Sequence, residues 1–282
     1  MSELTMRDTT ATLATARLKA QSRPGAPSWL RWAAWGPTLI TFVIAALLWQ
    51  IVAWTNPYVL PTLEAIGGSL VDDAGMYWSN FLVTLLEVVV GASAGILAGF
   101  LLAVIMAEFQ IIERAVMPLV IIVMVTPIVA IAPALVVAFG FGMVPKFIVT
   151  GLVVFFPMLV NSLAGLRDVD QKAMDVFKTL HASRWEIFRE LRFPGSMPYV
   201  FAGLRIALPL AVVGAAVAEF VAAGQQAGLG SLVTTSAAQA NLPVTWASIA
   251  LLCLLGVLLI IVLALVRKRV LWWSDGEVTA RG

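Results

Sequence analysis

The stretch Arg167-Asp-Val-Asp-Gln-Lys-Ala-Met-Asp-Val-Phe-Lys-Thr-Leu-His-Ala-Ser-Arg-Trp-Glu-Ile-Phe-Arg-Glu-Leu-Arg-Phe-Pro-Gly-Ser-Met-Pro198 is a charged, patterned insert between two long apolar runs. Helix connections commonly take about 2–8 residues, so a segment this long has a purpose beyond joining its neighbours. Ala173, Met174, Val176, Phe177 and Leu180 recur at helical spacing, and Trp185, Ile187, Phe188 and Leu191 resume it. His181-Ala182-Ser183 interrupts the pattern. Pro194 is expected to end it, because the residue before a proline is pushed out of the helical region. The expectation is two short amphipathic helices with a bend between them. A single short helix cannot hide such apolar residues from water. Five acids (Asp168, Asp170, Asp175, Glu186, Glu190) are mixed with six bases (Arg167, Lys172, Lys178, Arg184, Arg189, Arg192). A helix lying on lipid is more purely basic, so the mixture favours docking into a partner protein.

The rest of the chain is unlike this segment. Of 282 residues, 61% are hydrophobic and only 12% charged. Soluble domains carry about 25% charged residues, so the chain has too little charge to cover a water-facing surface. Disorder, collagen-like and disulfide-scaffold classes are excluded. Cys253 is single and sits in an apolar run, where an inert buried thiol is expected; one His and one Cys leave no ligand set for zinc. Six stretches approach the length of about 20 apolar residues needed to cross a bilayer as helix: Pro37–Trp54, Leu82–Ala107, Val116–Phe139, Phe147–Leu166, Val200–Ala222 and Val244–Val266. They are continuous, not the short alternating segments of a membrane β-barrel. The fold class is therefore an all-α membrane protein with six transmembrane helices.

Lys and Arg set the orientation. With the N-terminus in the cytoplasm, 17 of the 18 bases fall on the cytoplasmic side and only Lys146 falls outside. Both termini are thus expected in the cytoplasm of a multi-pass protein, in the inner membrane if the cell is bacterial. Residues 1–31 have no apolar signal-peptide core and read as a flexible cytoplasmic tail. Residues 32–273 form the membrane domain, with the insert at 167–198, and 274–282 form a short cytoplasmic tail. Trp29, Trp32, Trp35, Trp49 and Trp54 ring the first span as ordinary interface anchors. The outer segments Thr55–Phe81 and Ala223–Pro243 contain no Lys or Arg. Each is either a plain loop or a surface for an outside partner.

The segment from Asp175 to Pro194 resembles the EAA loop of ABC-importer permeases, which reads roughly E-A-A-x-x-x-G followed further on by an apolar residue and Pro. Pro198-Tyr-Val-Phe-Ala-Gly-Leu-Arg-Ile-Ala-Leu, Val217-Ala-Glu-Phe220, Val125-Thr-Pro-Ile-Val-Ala-Ile-Ala-Pro133 and Phe139-Gly-Phe-Gly142 look like the nitrate/sulfonate/taurine branch of that family. The resemblance runs from about Pro57 to Trp273. It implies a type I importer fold: two permease copies, plausibly a homodimer, with two ATP-binding subunits carrying ATP and Mg, and an extracytoplasmic solute-binding protein. Surrounding lipid is the other contact, and no nucleic acid is expected. Asp175 stands where the family has Glu, Val176 and Phe177 where it has two Ala, and His181 where it has Gly. Ala182, Ser183, Arg184 and Pro194 fit the pattern. With Leu180, these residues are the expected coupling element. A glycine takes a left-handed turn at no steric cost, so His181 puts the form of the bend in question. The chain has no G-x-x-x-x-G-K-[ST] phosphate loop and no Gly-Lys pair, so it binds no ATP by that route. It is expected to be no enzyme and to hold no cofactor or metal of its own.

Within the membrane, Gly91, Gly95 and Gly99, extended by Ala103 and Ala107, form a ridge at i, i+4 spacing that suits close helix packing. Pro118, Pro127, Pro133, Pro157 and Pro209 break backbone bonding where protein or a cavity must satisfy it. Thr126-Pro127 is the best candidate for pathway-lining backbone. Glu87 and Glu219 are intramembrane acids, a functional signal by default; a gate role or a hydrogen-bonded structural role fits them. Asn161 either lines the inner mouth or bonds between helices, and Arg205 snorkels or pairs. Small oxyanions or sulfonates are the first solute expectation. A hydroxymethylpyrimidine-type vitamin precursor is the second, because Phe155-Phe-Pro-Met-Leu-Val-Asn161 looks like permeases of that kind. The other class of reading is a proton-coupled transporter using Glu87 or Glu219, which leaves the 173–194 element without a role.

Overall fold

A computed structural model describes residues 28–221 and 228–272, with side chains from residue 36 onward. The expected tails, the side chains of Trp29, Trp32 and Trp35, and the first part of the Gly-rich outer segment lie outside the described residues. Among the described residues all regular structure is helical. The chain divides into two units, Met1–Thr62 and Leu63–Gly282.

The first unit contains α1 (Ser28–Thr55). It contains Pro37, and one turn on the Thr41 hydroxyl donates to the Pro37 carbonyl at 2.9 Å. Beyond the helix the chain turns back, and the Trp49 indole donates to the Pro61 carbonyl at 3.1 Å.

The second unit contains α2 (Leu63–Asp72), α3 (Ala74–Glu108), α4 (Gln110–Val125), α5 (Ile128–Phe139), α6 (Met143–Arg167), α7 (Gln171–Thr179), α8 (Arg184–Ile187), a π-helical turn (Phe188–Arg192), α9 (Phe193–Val221), α10 (Leu229–Ala238) and α11 (Leu242–Val270). Helix α6 lies at the centre, packed along α3 on one side and α9 on the other. Glycines permit the α3–α6 approach. A Cβ on Gly91 would lie 2.6 Å from Thr150 Cβ, one on Gly95 would strike the Gly151 carbonyl, and one on Gly99 would lie 2.7 Å from the Phe155 carbonyl. The ridge therefore packs inside this chain. On the other side of α6, Val154 joins Ala207, Ala211 and Ala215 of α9 in the largest apolar cluster. Outward faces are apolar, as at Leu97, Val213 and Leu258, which suits contact with lipid. Cys253, expected to be buried, lies on the exposed face of its helix.

Three further expectations are corrected. Span 2 begins at Ala74 instead of Leu82. Its first turns contain Ser79 and Asn80, whose side chains bond back to the Met76 carbonyl, so polar residues there did not mark a loop. Pro194 does not end the second amphipathic segment, which continues through the π turn into α9 as one helical path. A proline ring clashes with the carbonyl four residues back. Here that carbonyl belongs to the wider π turn, where Phe193 N–H already bonds five residues back to Phe188. The third correction concerns Val116–Phe139, which is two helices bent by 97°.

The bent pair still crosses the unit. Helix α4 starts at the end where Glu113 binds Arg167, the last residue of α6. Helix α5 packs at the opposite end, where Ala132 meets Val149 near the start of α6 and Ala218 near the end of α9. A re-entrant loop would return to the end it left. With five helices long and apolar enough to span among the described residues, the pair makes the sixth crossing there.

Candidate functional site

Two places concentrate the expected functional residues: the charged end of the bundle, and the bend between α4 and α5.

At the charged end, Asp168 closes α6 and accepts a hydrogen bond from the Tyr199 hydroxyl of α9. Asp170 caps α7 through Lys172 N–H at 2.9 Å. Helix α7 ends in a Schellman arrangement: Ala182 N–H donates to Phe177 at 3.0 Å and His181 N–H to Lys178 at 3.0 Å. This closure needs a left-handed residue, and His181 supplies it with φ +55°. The bend therefore keeps the glycine-type geometry. Ser183 then opens α8 with a reciprocal capping box: its side chain accepts from Glu186 N–H at 3.3 Å and Glu186 accepts from Ser183 N–H at 2.7 Å. Local chemistry thus builds the two-helix element. Val176 (57%), Leu180 (73%) and Trp185 (66%) are its exposed apolar residues, while Phe177 is half-buried. Asp175 faces solvent with Lys178 at 3.4 Å, an exposed pair of little energetic weight. Arg192, in the π turn, binds Glu108 at the end of α3 at 2.6 Å.

At the bend, Thr126 and Pro127 are both extended (ψ 126° and 116°), as a residue before proline prefers. Two extended residues in succession redirect the helix axis. A cavity of about 480 Å³ opens beside them, lined by Thr126, Ile128, Phe156, Asn161, Ile206 and Leu210 among others. Thr126 and Asn161 thus share one cavity, and its lining contains no charged residue. The Thr126 hydroxyl donates to the Ile122 carbonyl at 2.9 Å. Asn161 donates to the Pro157 carbonyl one turn back on α6 at 2.8 Å. The Asn161 carbonyl oxygen and second N–H remain to meet a guest. Pro127 makes the break without lining the cavity.

Glu87 and Glu219 lie elsewhere. Lys146 is not an outside loop base: it sits in the first turn of α6, 1% exposed, with its ammonium 2.8 Å from Glu87. Glu219 is fully buried and accepts from Thr84 Oγ1 at 2.7 Å, from Gly230 N–H and from Ser231 N–H at 3.2 Å. Thr84 in turn accepts from Leu229 N–H at 2.9 Å. The carboxylate therefore satisfies the orphan donors at the start of α10 and faces the positive end of that helix. A Cβ on Gly228 would strike it, and one on Gly230 would lie 2.7 Å from it. The outer segment after span 5 is thus a docked helix. Both acids hold helices together in this conformation. Thr84, Lys146 and Ser231 escaped sequence reasoning because their partners are far along the chain; the Gly-rich stretch before α10 was the only local sign.

Six crossings, a two-helix element at one end and an uncharged mid-span cavity define the membrane subunit of a solute transporter. The family model described as "binding-protein-dependent transport system inner membrane component" matches residues 95–272, and the chain belongs to that family. It is an ABC-transporter permease family, whose members work with ATP-binding subunits and binding proteins. The formylaminopyrimidine transport permease protein ThiX of Halalkalibacterium halodurans is 35% identical over 79% of this chain and 89% of its own length. The riboflavin transport system permease protein RibX of Chloroflexus aurantiacus is 27% identical, covering 83% and 89%. The taurine transport system permease protein TauC of Escherichia coli is 26% identical, covering 84% and 89%.

Proposed function

We propose that this permease is half of an importer pathway, with two copies served by two ATP-binding subunits that carry ATP and Mg. Both termini face the cytoplasm, and the two-helix element from Gln171 to Ile187 is what the ATPase grips. The observation that carries the reading is this element, with Val176, Leu180 and Trp185 presented to solvent at the charged end of the bundle. Closure of the ATPase pair would move the element, and the pathway would alternate between outward- and inward-open states whose balance nucleotide selects. The experiment is gentle purification of the tagged chain from its native membranes, wild type beside Leu180→Asp. An ATP-binding subunit present with wild type and lost with the variant is the expected result. Its absence from wild type, under conditions that keep other membrane complexes intact, overturns the coupling reading, and uptake that survives ATP depletion would favour the proton-coupled class.

For the solute, the uncharged lining at Thr126 and Asn161 favours a neutral, planar polar molecule, such as a pyrimidine-type vitamin precursor, over an oxyanion or sulfonate. A buried anion requires paired donors or cations, and the cavity offers one amide and one hydroxyl. The likeness to ThiX supports the same order; the likeness to TauC keeps a sulfonate as the competitor in uptake assays.

A further inference from the structure

A second cavity, of about 470 Å³, opens at the charged end beneath α7, between the α3–α4 corner and the end of α6. Its walls include Gln110, Glu113, Arg114, Gln171, Arg167 and Arg192. The coupling reading does not use it. Its charges do not cancel. Both Glu113 oxygens are taken by Arg167, and the nearby Glu108 is taken by Arg192 Nη1. Among the described residues Arg114 enters no ion pair, and the buried Arg192 Nε has no acceptor. Arg114 therefore leaves the cavity in want of an anion.

The surroundings say which anion. Ile111 (81% exposed), Arg114, Pro118 and Ile122 follow one another at i, i+3, i+7 and i+11 on α4, so they share one outward face. Phe109 at the same corner is also exposed. A guanidinium at the rim, continuing into an apolar stripe that runs into the membrane, matches a molecule with an anionic head and apolar tails. Basic pockets between membrane helices on the cytoplasmic side are suited to such headgroups. We infer that this cavity binds the phosphate of an anionic phospholipid of the inner leaflet, with Arg114 as its principal cation.

The test is native mass spectrometry of the full chain, purified in neutral detergent and exchanged with equal amounts of phosphatidylglycerol and phosphatidylcholine of the same acyl chains. Wild type should retain one phosphatidylglycerol with about ten-fold preference, because the choline of phosphatidylcholine offsets the phosphate charge that Arg114 pairs with. Arg114→Gln should fall to near parity, and Arg114→Lys should lie between. Arg205→Gln, an exposed base elsewhere on α9, should match wild type. Inorganic phosphate should displace the lipid no better than chloride at equal ionic strength. Three results overturn the inference: parity in wild type, equal loss in the Arg114→Gln and Arg205→Gln variants, or displacement by phosphate, which would make this a soluble-anion site.

Discussion

Lys146→Met is the perturbation with the largest calculable consequence. The ammonium it removes lies 2.8 Å from Glu87, and both side chains are essentially inaccessible. Glu219 binds Thr84, one turn from Glu87 on α3, so the variant would leave two neighbouring carboxyl groups with that cation gone. Removing one partner of a buried pair costs about 3–5 kcal/mol. At about 2 °C per kcal/mol, the lower end for chains of this size, apparent melting should fall by about 6–10 °C. The assay is tryptophan fluorescence on heating in detergent, checked by size-exclusion recovery. The double variant Lys146→Met/Glu87→Leu separates charge from packing. Apolar replacements of similar volume for a whole buried pair are often neutral or stabilising, so the double variant should melt close to wild type, at least about 4 °C above the single. A single variant that melts like wild type would refute the reasoning, as would a double variant no better than the single.

Two further outcomes follow from the backbone. A left-handed conformation costs an L-residue about 1–2 kcal/mol, and glycine returns about 0.5–1 kcal/mol of that as chain entropy, so His181→Gly should leave recovery of the ATP-binding subunit equal or improved. His181→Val, β-branched where φ must be +55°, should lose the subunit while eluting as a folded protein. Gly95→Ala places a methyl against the Gly151 backbone carbonyl, which cannot rotate away; overpacking of about 1–3 kcal/mol should lower monodisperse yield, whereas Gly75→Ala, with nothing within 4 Å, should not.

Much of the architecture was legible because it is written locally. Span count follows from hydropathy, and the break at Thr126-Pro127 follows from what proline does to the residue before it. The bend at His181-Ala182-Ser183 follows from a lapse in apolar periodicity. What was hidden is tertiary. Glu87 and Lys146 are 59 positions apart, and Thr84 and Glu219 are 135 apart. Read alone, each acid looks like a functional anomaly in the membrane and Lys146 like an ordinary loop base; only folding shows that they answer each other. Pro194 misled for a different reason. The rule that proline ends a helix assumes an α-helical turn before it, and a π turn removes that assumption.

The same π turn bears on how the two candidate places communicate. Trp185 in α8, the π turn and α9 form one unbroken helical path, and Ile206 and Leu210, about six to seven turns along it, line the cavity that contains Thr126 and Asn161. A push on α8 thus reaches the cavity wall through a helix, without crossing a loop. Elsewhere the bundle resists: α3 is locked on α6 by glycine contacts with no room for a methyl, and Lys146–Glu87 pins that seam. The opposite wall, α4 and α5, is bent by 97° and packs less extensively on its neighbours. On the proposed reading, motion delivered along α9 should therefore be taken up at the Thr126-Pro127 bend, with the α3–α6 pair as the fixed frame. The residues that widen or close the cavity would then be Thr126, Ile206 and Leu210, while Glu87 and Glu219, however suggestive their chemistry, would move with the frame.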